Sequence, residues 1–430
     1  MKNYIHDLKE MRGYLLLWFT QMISGLGSAM TSYALVIWSY TQAGSALRTA
    51  MLMVCSYAPY VICSIFAGAL SDRWDKKKTM LVCDALAALS TLTVLLLLKN
   101  GALRIWHLYI VNAVSGLMNT FQQPASEVAT TALLKREYYQ KVGGLRYLSN
   151  SLNSILTPII TTAIMGLWGI GVVIAIDLVS FAVAFAVLLR FIPIPKTEPK
   201  AVGESVLQSA AEGVHWLKAN PGIFHLMLFL AGINLVASMF NATLPAMILS
   251  RASETALGTV NSVTGIAMLA GSILASFLPA PKSRIKAIWY CLMMSMCTEN
   301  FFLAFGRSAW VWCFGAVLGW IALPWMSANL EAVNRLNIPM EIQGRVFAAR
   351  NSFQFFTIPV GYFLGGLLVD QVFEPIMQMQ RSGSLLVRLF GTGKGSGAAF
   401  LFAVLWLMGI AVCLLFQKDK AIWKLEQINT

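Results

Sequence analysis

The chain has 430 residues, 57% of them hydrophobic and only 12% charged, against about 25% charged in an average soluble domain. So little charge cannot cover a soluble globule of this size, and a disordered chain would be far less apolar. The 32 Lys and Arg outnumber the 19 Asp and Glu, giving a net charge of +13; in so apolar a chain this marks basic cytoplasmic loops, not nucleic-acid binding.

The first twelve residues are polar. The apolar run that opens at Tyr14 continues past Trp38, longer than the roughly 7–15 apolar residues of a cleaved signal, so it reads as a retained spanning helix. Further apolar runs follow at 46–70, 79–98, 105–131, 142–166 and 170–191. After a polar stretch come 221–249, 257–280, 286–305, 308–333, 345–369 and 397–417. Backbone amides in hydrocarbon must be satisfied within their own segment, which predicts helices. The runs do not alternate as barrel strands would. The expectation is an all-α polytopic membrane protein with twelve transmembrane helices.

Pro193, Pro195 and Pro199 sit among charges in the longest polar stretch before the C-terminal half. Proline removes amide donors and holds the chain extended, as in a linker. Ser205 to Lys218 reads as a short amphipathic helix on the membrane surface. The expected division is a six-helix bundle over 1–194, a cytoplasmic linker over 195–219 and a second six-helix bundle over 220–430. Punctuation repeats between the halves: Pro124 precedes Gly144 by 20 residues and Pro324 precedes Gly344 by 20. Pro158 then follows by 14 residues and Pro359 by 15. Matching landmarks in matching order point to two pseudo-symmetric bundles.

Counting Lys and Arg in alternate connections places 23 on one side and 8 on the other, Arg146 being intramembrane. The basic side faces the cytoplasm, so both termini are expected there, in a bacterial-type inner membrane. The seven cysteines lie almost wholly within apolar runs, and neither they nor the four histidines show metal-ligand spacing. No metal or cofactor is expected. The segment Gly391-Thr-Gly-Lys-Gly-Ser-Gly397 resembles a phosphate-binding loop, but no Ser or Thr directly follows Lys394. No nucleophile–base constellation marks an enzyme.

The loop between the second and third runs is Gly68-Ala-Leu-Ser-Asp72-Arg73-Trp-Asp-Lys76-Lys77-Lys78. It is a tight cytoplasmic turn in which Asp72 can face the positive N-terminus of another helix and Lys76 an acid on a neighbour. This loop resembles the signature of the major facilitator superfamily, Gly-x-Leu-Ala-Asp-Arg-x-Gly-Arg-Lys, at Gly68, Leu70, Asp72, Arg73 and Lys77. Asp75 stands where the family has glycine, and Lys76 where it has arginine. Lysine cannot make the bidentate pair that arginine makes.

Val82-Cys-Asp84-Ala-Leu86, Ile176-Asp177-Leu-Val-Ser-Phe181, Glu212-Gly-Val-His-Trp-Leu217 and Gln343-Gly-Arg345-Val-Phe347 are similar to the macrolide-efflux type of drug exporter in that superfamily. The resemblance implies a monomeric secondary transporter exporting hydrophobic or amphipathic molecules, with protons as coupling ion and the lipid bilayer as surroundings. It also implies a gating latch in which Asp72 holds the eleventh helix near Arg345 while Lys76 pairs with Glu127. Other readings are a carrier of lysophospholipids, siderophores or metabolites, or a non-transporting scaffold or enzyme.

Intramembrane ionisable groups are functional candidates by default. Asp177 and Glu299 are the deepest proton-coupling candidates. Asp84 is a third, its first reading being a structural partner of the basic loop. Arg146 is expected to neutralise Glu127, the other reading being that it meets an anionic group of the substrate. Uncharged polar residues mark an expected substrate site: Gln21, Ser24 and Ser28 in the first run, Asn112, Asn119 and Gln122 in the fourth, Asn150 and Asn153 in the fifth, Asn234, Ser238 and Asn241 in the seventh. Such residues also bond helix to helix in membranes. Trp320, Trp325, Phe353 and Phe356 are the expected aromatic wall.

Overall fold

The structure, a computed structural model, describes the backbone of residues 11–133, 139–194, 206–339, 346, 349 and 353–429. Within these, side chains at 65–73, 127, 131–132, 139–144, 147, 206–210 and 427–429 are outside the description. The described residues are helical, with no strand. The first helices are α1 (Arg12–Ala43), α2 (Ala46–Arg73), α3 (Lys76–Lys99), α4 (Ile105–Leu133), α5 (Tyr139–Trp168) and α6 (Ile170–Phe191). The amphipathic α7 (Val206–Ala219) precedes α8 (Pro221–Arg251), α9 (Glu254–Phe277), α10 (Arg284–Phe305), α11 (Ala309–Trp320) and α12 (Leu323–Asn337). The last are α13 (Thr357–Leu368), α14 (Glu374–Gln378), α15 (Leu385–Phe390), α16 (Ser396–Gln417) and α17 (Lys420–Trp423).

Among the described residues, 10 spans are long and apolar enough to cross a membrane, with α11–α12 and Phe353–Gln378 counting as one each. Helices α1, of 32 residues, and α4, of 29, have the length but fall short in hydropathy. Each is diluted by carboxamides and hydroxyls: Gln21, Ser24, Ser28 and Thr31 in α1, Asn112, Asn119, Gln122 and Gln123 in α4. With these two the architecture is consistent with twelve spans.

Local chemistry sets the helix ends. Asp75 caps α3 by accepting from Lys78 N at 2.9 Å, and Ser253 and Ser283 cap α9 and α10 in the same way. A single residue, Gly169, turns the chain from α5 into α6 at φ +80°, a backbone angle that favours glycine. Pro324 sits in the first turn of α12, where it separates that helix from α11.

The chain divides into two compact units, Met1–Trp38 with Cys55–Gly203 and Ser39–Val54 with Glu204–Thr430. In the first, Leu17, Met80, Ala125, Ala129, Leu188 and Ile192 form a buried cluster. Lys77 Nζ donates to the carbonyls of Leu189 at 3.0 Å and Ile192 at 2.8 Å, satisfying the C-terminal end of α6. Val82, Leu89 and Leu96, seven apart on α3, are exposed and form the stripe expected to face lipid.

In the second unit α8 is buried along most of its length. It packs on α13 because Gly361 and Gly365 lack side chains: a Cβ on Gly365 would lie 2.8 Å from Met239 Cα. Helices two and four of each unit also meet backbone to backbone, Gly116 against the Ser56 carbonyl and Gly271 against the Ile321 carbonyl. These contacts carry the same close helix approach in both units.

One boundary differs from the sequence reading. The eleventh apolar run, placed at 345–369, continues as helix through a π turn at Val369–Phe373 into α14. Asp370, Glu374 and Pro375 make this stretch read as loop. It is helical where both acids accept hydrogen bonds from distant residues. Asp370 accepts from Ser45 Oγ at 2.5 Å, Ala46 N at 3.0 Å and Leu47 N at 2.9 Å, capping the start of α2. Glu374 Oε1 accepts from Gly395 N at 2.7 Å, beside the start of α16. The glycine-rich loop thus wraps a carboxylate, with Gly391, Gly393 and Gly395 at φ +80°, +81° and +91°.

Asp370→Ala leaves two amides and a hydroxyl without their acceptor. The expected cost is about 2–4 kcal/mol, read as a drop of several degrees in the unfolding midpoint of the purified protein. A variant melting with the parent would show that this cap contributes nothing.

Candidate functional site

The residues that dilute α1 and α4 share one cavity in the first unit, of about 860 Å³, a size that suits a drug-sized ligand. Helix α1 contributes Gln21, Ser24, Gly25 and Ser28. The spacing i, i+3, i+4, i+7 places these on one helical face. Helix α4 turns Asn119, Gln122, Gln123, Ser126 and Thr130 to the same space, and α5 contributes Arg146, Ser149, Asn150 and Asn153. The remaining wall is Asp84, Ala87, Ala88 and Thr91 of α3 and Asp177, Leu178 and Phe181 of α6, with Tyr14, Leu17, Trp18 and Met22 completing α1.

Both acids enter at depth. Asp84 stands eight residues into α3, which begins at Lys76 rather than at 79, or about 12 Å along its axis. Asp177 stands seven residues into α6, about 10 Å. Asp84 Oδ1 accepts from Gln122 Nε2 at 2.5 Å, and Asp177 Oδ1 accepts from Ser28 Oγ at 2.9 Å. Gln21 and Ser28 are themselves seven residues, about 10 Å, apart on α1. Among the described residues Gln21 Nε2 is buried without a close hydrogen-bond partner, and the acid it faces is Asp84.

The approach of α1 to α6 depends on Gly27, where a Cβ would lie 2.5 Å from Ser180 Oγ and 3.0 Å from Asp177 Cα. Trp18 fixes α1 to α5 by donating its indole N–H to the Leu145 carbonyl at 3.1 Å.

Of the residues expected from sequence as substrate-binding, the structure brings Gln21, Ser28, Asn119 and Asn153 together, and sets Asp84 and Asp177 in the same wall. Arg146 is on this wall too; its expected partner Glu127 lies outside the described side chains. Asn112 does not line the cavity: its Nδ2 donates to the Leu108 carbonyl of its own helix at 2.9 Å. The others belong to the second unit. Asn234 Nδ2 donates to the Gln354 carbonyl at 3.1 Å, Asn241 is exposed, and Trp325 accepts at its carbonyl from Asn329 Nδ2. Phe353 meets Phe224 edge-on at 6.4 Å. Glu299 is 5% exposed and packs against Gly319 of α11, whose Cβ would lie 2.8 Å from its own.

Of the latch residues, Lys76 is buried, its ammonium donating to the Trp74 carbonyl at 3.0 Å. Gly68, Asp72 and Arg73 lie on α2 and Glu127 on α4, at positions outside the described side chains, and Arg345 is outside the description altogether. Sequence reasoning passed over Ser126, Thr130 and Ser149. Steps of three and four from Gln122 and Arg146 would have found them, since these steps stay on one helical face.

Gly27→Val is expected to part α1 from α6 and lower the unfolding midpoint by several degrees, whereas Ser28→Ala loses one hydrogen bond to a carboxylate, about 1.5–3 kcal/mol. Equal midpoints for Gly27→Val and the parent would show that the close approach is dispensable.

Residues 17–361 match the Major Facilitator Superfamily. Macrolide efflux protein A of Streptococcus pyogenes is 26% identical over 365 residues, covering 83% of this chain and 89% of that protein. Multidrug efflux pump Tap of Mycolicibacterium fortuitum is 22% identical over 370 residues, 83% of this chain and 89% of the pump. The crystal structure of nucleoside transporter NupG superposes with a TM-score of 0.67 at 12% identity, covering 95% of this chain and 100% of that one.

Proposed function

We propose an export function for this chain, which belongs to the Major Facilitator Superfamily and is a multi-pass membrane transporter. It carries hydrophobic or amphipathic small molecules out of the cell by alternating access, driven by the proton gradient. The observation that carries this reading is a polar cavity holding two deep carboxyls inside an otherwise apolar helical unit. Uncompensated polar groups at membrane depth are costly, and a transport site accounts for them. The efflux proteins among the relatives favour export.

Within this reading the six-helix halves 1–194 and 220–430 rock about the linker 195–219, with both termini in the cytoplasm and the protein in the inner membrane. Asp84 and Asp177 are the proton-exchanging groups, since both face the cavity a solute would enter. Glu299, enclosed between α10 and α11, is assigned a packing role. Gln21, Ser28, Asn119 and Asn153 contact the solute. Asp72, Arg73, Lys76, Glu127 and Arg345 form the cytoplasmic latch.

Cells expressing the chain are expected to accumulate less of a compound panel of macrolides, dyes and lipid analogues, and an uncoupler is expected to abolish the difference. Asp177→Asn reduces efflux at least tenfold with membrane insertion intact. Accumulation unchanged across the panel would end the exporter reading, and efflux indifferent to the uncoupler would end the proton assignment. Separately, Asp72→Asn is expected to slow transport severalfold while the protein remains in the membrane; full activity would remove the latch.

A further inference from the structure

Ser39–Val54, the tip that joins α1 to α2, belongs to the second unit, although both helices have most of their length in the first. Two charges of the second unit grip this tip. Asp370, in the π turn, accepts from Ser45 Oγ and from the amides of Ala46 and Leu47, at the positive end of α2. Lys394, in the glycine-rich loop, stands at the other pole. A Cβ on Gly44 would lie 2.5 Å from its ammonium, just past the negative end of α1 at Ala43. The same ammonium is 5.6 Å from the centre of the Tyr40 ring. The Tyr40 hydroxyl donates to the Ala246 carbonyl at 3.0 Å and meets the Ser250 hydroxyl at 2.5 Å. Each helix also carries a cap of its own. Ser45 Oγ accepts from Arg48 N at 3.1 Å, and Gly44 N donates to the Tyr40 carbonyl at 2.7 Å. The two charges are therefore additions from elsewhere in the chain, each of the sign that its helix end attracts.

We infer that Asp370 and Lys394 form an outer latch on the α1–α2 tip, which lets go in every transport cycle. The inference rests on the reading of the chain as a transporter working by alternating access with both termini inside, which puts this tip on the outer side. Helix α1 runs unbroken from Arg12 to Ala43 and contains no proline, so it moves with its tip and does not bend to leave it behind. Rocking of the half 1–194 therefore draws Tyr40, Gly44 and Ser45 away from Ser250, Lys394 and Asp370. The contacts suit release. They are polar and lie at helix ends, where water outside the membrane replaces each bond as it breaks, unlike a polar group stranded in hydrocarbon. Asp370 is thus satisfied by the tip only while the latch is shut. Helix α2 then has an acid at each end, Asp370 at its start and its own Asp72 next to its last residue, Arg73. The outer latch and the cytoplasmic one close in alternate states.

The test has two arms, both with the full chain in cells. In the first, Asn153→Cys places a thiol in the cavity wall, and a membrane-impermeant methanethiosulfonate carrying a trimethylammonium group is added outside. Adding Asp370→Asn or Lys394→Gln is expected to raise the labelling rate severalfold. Lys394 is exposed, so the second variant serves even where the first fails to fold. In the other arm, Ser45→Cys with Asp370→Cys makes the grip covalent. The oxidised pair is expected to lose at least tenfold in efflux and to recover severalfold on reduction, whereas a cap that never opens would tolerate the bond. Labelling unchanged in both single variants overturns the latch. So does equal efflux before and after reduction, with the disulfide verified by mass spectrometry. The export reading fails on the compound panel instead. Raised labelling in variants of a parent that exports nothing supports the latch and sinks export, while efflux by the parent with unchanged labelling sinks only the latch.

Discussion

Every polar group carried into hydrocarbon must find its partner inside the protein, because no water is there to provide one. This constraint decides which residues of the chain are structural and which are left over for work. Asp370 is paid in full, with three donors from the start of α2. Asn112 and Asn300 each turn a side-chain amide back to a carbonyl one turn earlier. Lys77 spends its ammonium on the end of α6. These groups are consumed by the fold. Around the first-unit cavity the wall has more donors and acceptors than it uses, and Gln21 Nε2, which faces Asp84, has no close partner among the described residues. These groups share one surface with two carboxyls, and that grouping is the physical argument for a solute site there.

Close backbone approach is the second organising condition. Membrane helices gain little from burying apolar surface against one another, since lipid is equally apolar, and rely on contact between small residues. Gly116 against Ser56 and Gly271 against Ile321 join the second and fourth helices of the two units at equivalent places. Gly27 does related work between α1 and α6, but there it brings hydroxyl to carboxylate, setting Ser28 on Asp177. A packing glycine and a functional contact are therefore parts of one geometry.

The apolar runs were legible in the sequence because hydrophobic length is a local property. Ten of the spans follow from it directly. The helical stretch beyond residue 369 was not legible, because what permits it is remote. Asp370 is capped onto residues 323–325 positions away in the chain. Polar composition pointed to α1, α4 and α5, and the spacing of Gln21, Ser24 and Ser28 gave a face. The same pattern on α8 meets different surroundings, Asn234 being bonded to the Gln354 carbonyl and Asn241 exposed. Helical spacing tells which residues share a face, and only packing tells what that face meets.

The two helices that fall short in hydropathy, α1 and α4, supply four of the cavity's six carboxamides. Their polarity is a cost at insertion, when each segment meets lipid before its neighbours are in place, and a gain only after assembly, when the same groups turn inward. Selection for stability alone would replace Asn119 or Gln123 by leucine, which no described contact of the fold forbids. Their presence on one surface, with Asp84 and Asp177 at staggered depths, fits a wall that must trade hydrogen bonds with something that comes and goes. A permanently satisfied wall would hold the helices together better and could release nothing.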